Sequence, residues 1–163
     1  MSFGDRKYDV LALGTRPDSI RTYPDSDAAA LFTSSDNGAV CAGAQKLAQR
    51  WALEFLTIRG SMGFHLSERG SDFVAWARSG LIRTELDVQA YFGFAATQVK
   101  TQLLNEDAED DPADERIDNA ELTRIVISNT HMALSITLTT QAGTSREIIL
   151  PVAATPPELQ SQL

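Results

Sequence analysis

Three carboxylates in the first half of the chain are the residues best suited to acid–base chemistry. Glu54, Glu68 and Asp72 lie in or beside two predicted helices. A glycosidase needs two such groups about 5–10 Å apart, one as the acid and the other as nucleophile or base. Charged residues beside helices usually form solvated faces or caps, and the sequence shows no aromatic groove for a sugar. We therefore expect the chain not to be an enzyme; a muramidase-like hydrolase using Glu68 and Asp72 is the alternative.

The residues that could bind a metal ion do not have the spacing of a metal site. The two histidines, His65 and His131, are far apart in the chain, and neither belongs to a Cys/His motif. Acidic residues alternate from Asp107 to Asp111 as calcium ligands do, but Pro112 stands where a calcium loop requires glycine. We therefore expect no metal ion and no cofactor.

Motifs for nucleophilic catalysis and phosphate binding are also missing from the sequence. The single cysteine, Cys41, has no histidine near it in the chain, and no G-x-S-x-G motif occurs. The segment Gly60-Ser61-Met62-Gly63 lacks the lysine and the strand-to-helix context of a phosphate-binding loop. These absences favour a binding or structural protein over an enzyme.

The negative charge of the chain is concentrated in one segment. The chain has 163 residues, of which 14 are basic and 22 acidic, so its net charge is −8. Eight of the acids lie within the 13 residues from Glu106 to Asp118. Because no basic stripe remains elsewhere, we expect neither nucleic acid nor a membrane surface as a partner.

The length indicates one domain, and the single cysteine indicates either a reducing compartment or a protein for which redox conditions do not matter. A chain of 163 residues is the length of a single domain. One cysteine, Cys41, cannot form an intrachain disulfide. No apolar stretch reaches the roughly 20 residues needed to cross a bilayer, and residues 1–10 do not resemble a signal peptide. We expect a soluble protein made in the cytoplasm.

Residues 40–105 predict three helices. In the first, apolar residues recur at three- and four-residue spacing, which indicates one buried face: Ala44, Leu47, Ala48, Trp51, Phe55 and Ile58. Cap candidates lie at residues 34–37, and Gly60 is a natural stop. Ser71 and Gly80 delimit a short second helix, and Thr84 caps a third helix that ends near Leu104. Gly93 lies inside this third helix, where glycine costs about 1 kcal/mol relative to alanine.

Residues 119–152 predict three antiparallel strands. Leu122–Ile127 is rich in β-branched residues, and residues 132–139 alternate apolar and polar side chains, as a half-buried strand does. Residues 146–152 return after a hairpin loop at 141–144. We therefore predict an α+β fold, in which three helices pack on a three-stranded antiparallel meander at the C-terminal end.

The same elements divide the chain into segments. Residues 1–39 read as an irregular N-terminal arm with a short strand near residues 8–13, either poorly ordered or ordered by a partner. Residues 40–152 form the α+β domain. Within it, residues 106–118 are expected to be a solvated acidic loop, because like charges this dense repel each other. Residues 153–163 are a C-terminal tail with two prolines.

Three short motifs occur in a definite order. Arg59-Gly60-Ser61 follows the first helix, Glu68-Arg69-Gly70-Ser71-Asp72-Phe73 opens the second, and Asp114-Glu115-Arg116 precedes the strands. This order resembles the small baseplate wedge proteins of contractile phage tails, the lysozyme-like wedge family. In that family the segment before the strands is Glu-Pro-Arg, so only Arg116 is retained here. The resemblance spans residues 40–152.

The resemblance implies a structural protein of the virion, located in the tail baseplate. Its signature arginine would hold the core bundle of the larger wedge proteins, and its sheet would accept strands of the tail sheath subunit and start sheath assembly. Several copies would sit in a symmetric, six-fold assembly. The partner-binding residues are then Asp114, Glu115 and Arg116 in the loop, and Ile136, Leu138, Ile148 and Leu150 in the sheet.

Other functions remain open at this point. The wedge family also contains a baseplate subunit of type VI secretion systems and a bacterial anti-adaptor protein, so the same fold could serve either role. For Arg116, the plain alternative is that it relieves repulsion among the surrounding acids, worth about 0–1 kcal/mol when exposed.

Overall fold

A computed structural model of the chain describes residues 9–10, 13–15, 29–31, 40–61, 68–128 and 131–153. In this part of the chain there are three helices: α1 (Ala44–Leu56), α2 (Phe73–Arg78) and α3 (Glu85–Glu106). Four short strands precede them: β1 (Asp9–Val10), β2 (Leu13–Thr15), β3 (Ala29–Leu31) and β4 (Val40–Cys41). Three long strands follow: β5 (Ile117–Ile127), β6 (His131–Thr140) and β7 (Ser145–Ala153).

The long strands form the predicted antiparallel meander. β5 pairs with β6, and β6 pairs with β7, both antiparallel. The sheet continues beyond β7, because β3 pairs with it in parallel and β2 pairs with β3, which gives the order β2-β3-β7-β6-β5. β1 and β4 form a separate two-stranded sheet. The α+β class, with three helices and a three-stranded meander, is thus confirmed.

Several predicted segments coincide only in part with the described residues. The predicted arm contains β1, β2 and β3, and the rest of residues 1–39 lies outside the described residues. The proposed cap candidates at 34–37, His65 and the tail after Ala153 also lie outside them. The acidic loop is shorter than predicted: α3 extends to Glu106 and β5 already begins at Ile117.

The first helix begins and ends differently from its sequence signals. α1 starts after Gly43 and ends at Leu56, before the predicted stop at Gly60. The reason is a backbone connection beyond the helix: the Ser71 N–H donates to the Thr57 carbonyl (2.8 Å), and the Arg59 N–H donates to the Ser71 carbonyl (3.1 Å). Extended backbone at Thr57 is needed for these bonds, and it stops the helix there.

The start of α2 depends on a glycine. Gly70 has φ +96°, and a Cβ at this position would lie 2.5 Å from the carbonyl oxygen of Thr57. Next to it, the buried Ser71 hydroxyl donates to the Phe55 carbonyl (2.7 Å) and accepts the Phe73 N–H (3.3 Å). Ser71 therefore contacts the first N–H of α2, but the predicted cap at Ser71 is wrong by one residue: Asp72 occupies the cap position, and no side chain makes a cap hydrogen bond there.

The predicted cap of α3 is confirmed in detail. The Thr84 hydroxyl accepts the Asp87 N–H (3.2 Å), and the Asp87 carboxylate accepts the Thr84 N–H (2.9 Å). This reciprocal pair is a capping box, which satisfies two N–H groups at the helix start.

The core lies between the helices and one face of the meander. Trp51 and Phe55 stack with ring centroids 4.7 Å apart, and Phe73 and Phe92 pack around them. The sheet contributes buried side chains from its inner face: Met132, Leu134, Ile136, Leu138, Ile148, Leu150 and Val152. The predicted period-two pattern of β6 is therefore the pattern of its core-facing side chains.

Candidate partner-binding site

The acidic loop between α3 and β5 is anchored to the domain rather than being wholly solvated. The Glu115 N–H donates to the Pro112 carbonyl (2.9 Å) inside the loop. The β6–β7 turn supports it from outside: the Gln141 N–H donates to the Arg116 carbonyl (3.0 Å), and the Ala142 N–H donates to the Ala113 carbonyl (3.1 Å). The loop is thus held by a hydrogen bond within its own turn and by two hydrogen bonds from the β6–β7 turn.

Glu115 is the strongest anchor of this loop. Its side chain is only 3% exposed, which is unusual for a carboxylate. One carboxylate oxygen lies 2.6 Å from Lys46 Nζ, and the other accepts the Gly43 N–H (3.1 Å). Glu115 therefore connects the loop to the first turn of α1. The expectation of a solvated loop is wrong for this residue, because burial with a cationic partner replaces hydration.

A second pair of contacts connects the start of the loop to the helices. Arg50 of α1 donates to Asp107 (3.2 Å), whose side chain is 6% exposed. Arg69 hydrogen-bonds Glu106 and lies 3.3 Å from Glu54. The hydrogen bond to Glu106 raises the pKa of Arg69 further above its ordinary value. Together with Glu115, at least three acids of the segment 106–118 are thus paired with cations elsewhere in the domain: Glu106, Asp107 and Glu115.

Arg116, the last residue of the third sequence motif, lies at the end of this anchored loop. Its guanidinium is half-buried, and Nη2 donates to the carbonyl of Ala108 across the loop. Its buried Nε has no hydrogen-bond partner among the described residues. Arg116 therefore closes the loop internally and keeps donor groups beyond the one that this contact uses. Asp114 lies two positions before it and is half-buried.

The four predicted residues of the sheet are placed differently from the loop residues. Ile136, Leu138, Ile148 and Leu150 are all buried in the main core. Their side chains pack against the helices and are not available to a partner in the folded domain. The prediction that these side chains contact a partner does not fit their burial, and a partner strand can reach this sheet only through backbone groups at an edge.

The outer edge of β5 is such an edge. β5 is the last strand of the sheet, and no other described strand pairs with its outer side. At the other side of the meander, β7 is covered by β3 at Ile148 and Ile149, and Pro151 has no N–H to offer. β5 is interrupted by register shifts between Ile117 and Asn119 and between Leu122 and Arg124.

The three carboxylates considered for hydrolysis are engaged in separate contacts. Glu68 is exposed and pairs with Arg59, while Asp72 accepts from the Gln98 amide (2.8 Å). Glu54 accepts the Gly70 N–H (3.1 Å). These contacts hold the described ends of the segment between α1 and α2, which contains the first two of the three sequence motifs. Among the described residues, no group of His, Cys, Asp and Glu side chains is arranged to hold a metal ion.

The anchoring cation of the loop was missed in the sequence. Lys46 and Glu115 are 69 residues apart, so no local spacing connects them. Two sequence features bear on this pair. Lys46 lies near the start of a predicted helix, and Glu115 stands where the wedge proteins that the motifs resemble have proline.

Searches of protein-family models, of curated proteins and of solved structures give no match to this chain. The resemblance to wedge proteins therefore rests on the three motifs alone. In the described part of the chain, no helix has the length and apolar character needed to cross a membrane.

Proposed function

We propose that this protein is a structural wedge component of the baseplate of a contractile injection machine. It joins the core bundle of larger wedge proteins through the loop ending at Arg116, and it starts sheath assembly through its C-terminal sheet. The observation that carries the proposal is the outer edge of β5, with which no described strand pairs. The type VI secretion baseplate is the alternative setting, because it would use the same loop and the same sheet edge.

An open strand edge presents N–H and C=O groups that a second chain can pair with. β5 has 11 residues, which makes it the longest strand of the sheet. From Arg124 to Ile127 its pairing with β6 is regular, and Ile127 is 42% exposed. A sheath strand would add along this segment and the adjoining bulge at Thr123, whereas the register shifts twist the rest of the edge and limit indiscriminate pairing.

The loop supports the second contact. The pair formed by Glu115 and Lys46 fixes the backbone of the residue next to Arg116, so the guanidinium is held in one place before a partner arrives. A guanidinium has five N–H donors in a planar fork, suited to carbonyl groups at helix ends or to carboxylates. Preorganisation lowers the entropy lost on binding. The bundle contact would therefore involve the Nη donors that Ala108 leaves unused, since Nε is buried.

The sheet contact can be tested at Thr123. This residue lies at a register shift, where no residue of β6 stands opposite it, and its hydroxyl donates to the Ser135 carbonyl (3.1 Å). Thr123→Pro removes a backbone N–H and the hydroxyl, whereas Thr123→Val removes only the hydroxyl. In cells that make the particle, we expect the proline variant to give baseplates without sheath and the valine variant to give sheathed tails. Sheathed tails from the folded proline variant would contradict the proposed edge.

The loop contact can be tested at Arg116. A tagged chain should recover a large wedge protein and the sheath subunit, identified by mass spectrometry. Arg116→Ala should lose the wedge protein but retain its circular dichroism, and Arg78→Ala, at an exposed arginine of α2, should behave as the original chain. Full recovery of the wedge protein by Arg116→Ala would refute the assigned role. A wall-clearing assay on the pure protein separately tests the hydrolase alternative.

A further inference from the structure

Helix α3 carries apolar side chains on two opposite sides. Its inner side belongs to the core through six residues: Val88, Phe92, Ala95, Ala96, Val99 and Leu103. On its outer side, Leu86 is 73% exposed and Phe94 is 67% exposed. Ala90 lies between them at four-residue spacing and is also exposed, so the three residues share one face. An exposed stripe of this kind commonly marks a contact surface.

The outer side of α3 also lacks charge. No Asp, Glu, Lys or Arg occurs from Val88 to Val99, which covers about three helical turns. A solvated helix face of this length normally carries several charged residues. The occupant of this face is therefore expected to be uncharged where it crosses the middle of the helix.

Gly93 adds a second, independent feature of this surface. Glycine inside a helix costs about 1 kcal/mol relative to alanine. A Cβ at Gly93 would meet no atom within 4 Å, so nothing inside the described domain requires glycine there. Beside it, a groove of about 300 Å³ runs between α3 and β5, lined by Phe92, Gly93 and Ala96 of the helix and by Ala120 and Leu122 of the strand. Gly93 thus gives another backbone room to approach.

We propose that the occupant is a second copy of this chain, with the two α3 helices crossing antiparallel near Gly93 and Phe94. One surface carries both a protruding aromatic side chain and an open groove next to it. A two-fold interface requires such a self-complementary surface, because each copy presents the same residues to the other. In this dimer, Phe94 of each copy enters the groove beside Gly93 of the other.

The position and the charges of α3 favour the antiparallel direction. Gly93 and Phe94 lie near the middle of Glu85–Glu106, so an antiparallel crossing there overlaps most of the helix. It also brings the acidic first turn, with Glu85 and Asp87, toward Lys100 of the second copy. The hydrogen bond described for Lys100 goes to a neutral group, the backbone carbonyl of Asp118. Its positive charge can therefore attract a carboxylate of the second copy. A parallel crossing would place like charges together.

The test measures the mass of the purified chain by sedimentation over a concentration series. The original chain should rise from 17.8 kDa toward twice that mass. Gly93→Gln places a longer side chain beside the groove, where the added Cβ meets no atom of the monomer within 4 Å, and Phe94→Ala removes the protruding ring. Each change should raise the dissociation constant at least about tenfold. Leu53→Ala, at an exposed leucine of α1, is the matched control and should dimerise normally.

Two results would overturn the proposal: a monomer at every concentration, or equal dimerisation of the original chain, Gly93→Gln and Phe94→Ala. The direction is tested with Leu86→Cys and Thr101→Cys chains under oxidation. A mixture of the two should cross-link in the antiparallel dimer, whereas cross-linking of Thr101→Cys with itself would contradict that direction. These measurements use the chain alone, so their outcome is independent of the proposed baseplate role.

Discussion

Breaking the buried pair between Lys46 and Glu115 should destabilise the domain far more than breaking an exposed pair. Removing one partner of a buried ion pair costs about 3–5 kcal/mol, because the other charge is left without compensation. Lys46 is 13% exposed, so we expect the lower end, about 3 kcal/mol, for Lys46→Met. For a chain of this size that corresponds to a fall in melting temperature of roughly 6–12 °C.

The double-mutant cycle isolates this interaction. Glu115→Gln retains an amide oxygen for the Gly43 N–H but loses the charged hydrogen bond to Lys46, worth about 1.5–3 kcal/mol. In the Glu115→Gln background, Lys46→Met should cost much less than in the original chain, giving a coupling energy above about 1 kcal/mol. Urea unfolding at neutral pH, followed by circular dichroism, gives the four free energies of unfolding.

The exposed pair of Arg59 and Glu68 is the control, with side chains 39% and 82% exposed. Its coupling energy should lie between about 0 and 1 kcal/mol. If the coupling of Lys46 with Glu115 is as small as that of the control, the loop is not anchored as described, and the argument that it holds Arg116 in place fails.

Three further changes test other parts of the domain by the same unfolding assay. Gly70→Ala should cost about 1–3 kcal/mol more than Gly60→Ala, because both positions have positive φ but only the first would clash with the Thr57 carbonyl; equal costs would contradict this. Phe55→Ala should cost about 3–5 kcal/mol through loss of the aromatic cluster, and a loss below 1 kcal/mol would show the site is not packed. Hydrogen bonds from Arg83 and Thr84 lower the pKa of the Asp87 carboxyl below its ordinary value of 3.8. Its stabilising contribution is therefore present above that pH and disappears as the pH falls through the lower folded-state pKa. Asp87→Asn should reduce the loss of stability on acidification, and an unchanged loss would refute this role.

The elements could be predicted wherever their signals are local. The cap at Thr84 and the apolar set of β6 depend on residues a few positions apart, and both match the structure, although Ala133 and Ser135 on the other face of β6 are buried as well. The end of α1 could not be predicted, because it is set by hydrogen bonds to Ser71 across a connecting segment. Local stop signals such as Gly60 are overridden when a more distant backbone partner is available.

The candidate site was harder to predict than the fold. Charge density along the sequence treats all acids of the loop alike, yet Glu115 is buried and Glu109 is exposed. Which acid is buried depends on where Lys46 lies in the folded domain, and this is a property of the packed helices. Likewise, Ile136 was assigned to a partner from its strand alone, whereas its side chain belongs to the core.

The parallel pairing of β3 with β7 has a consequence during synthesis of the chain. Ala29 stands opposite Ile148, so the two strands leave the ribosome at widely separated times. Synthesis runs at about 5–20 residues per second, and β3 must wait several seconds before its partner exists. The helices can form during that interval, because their contacts are local. The full five-stranded sheet is therefore completed late, after β7 has emerged and closed against β6.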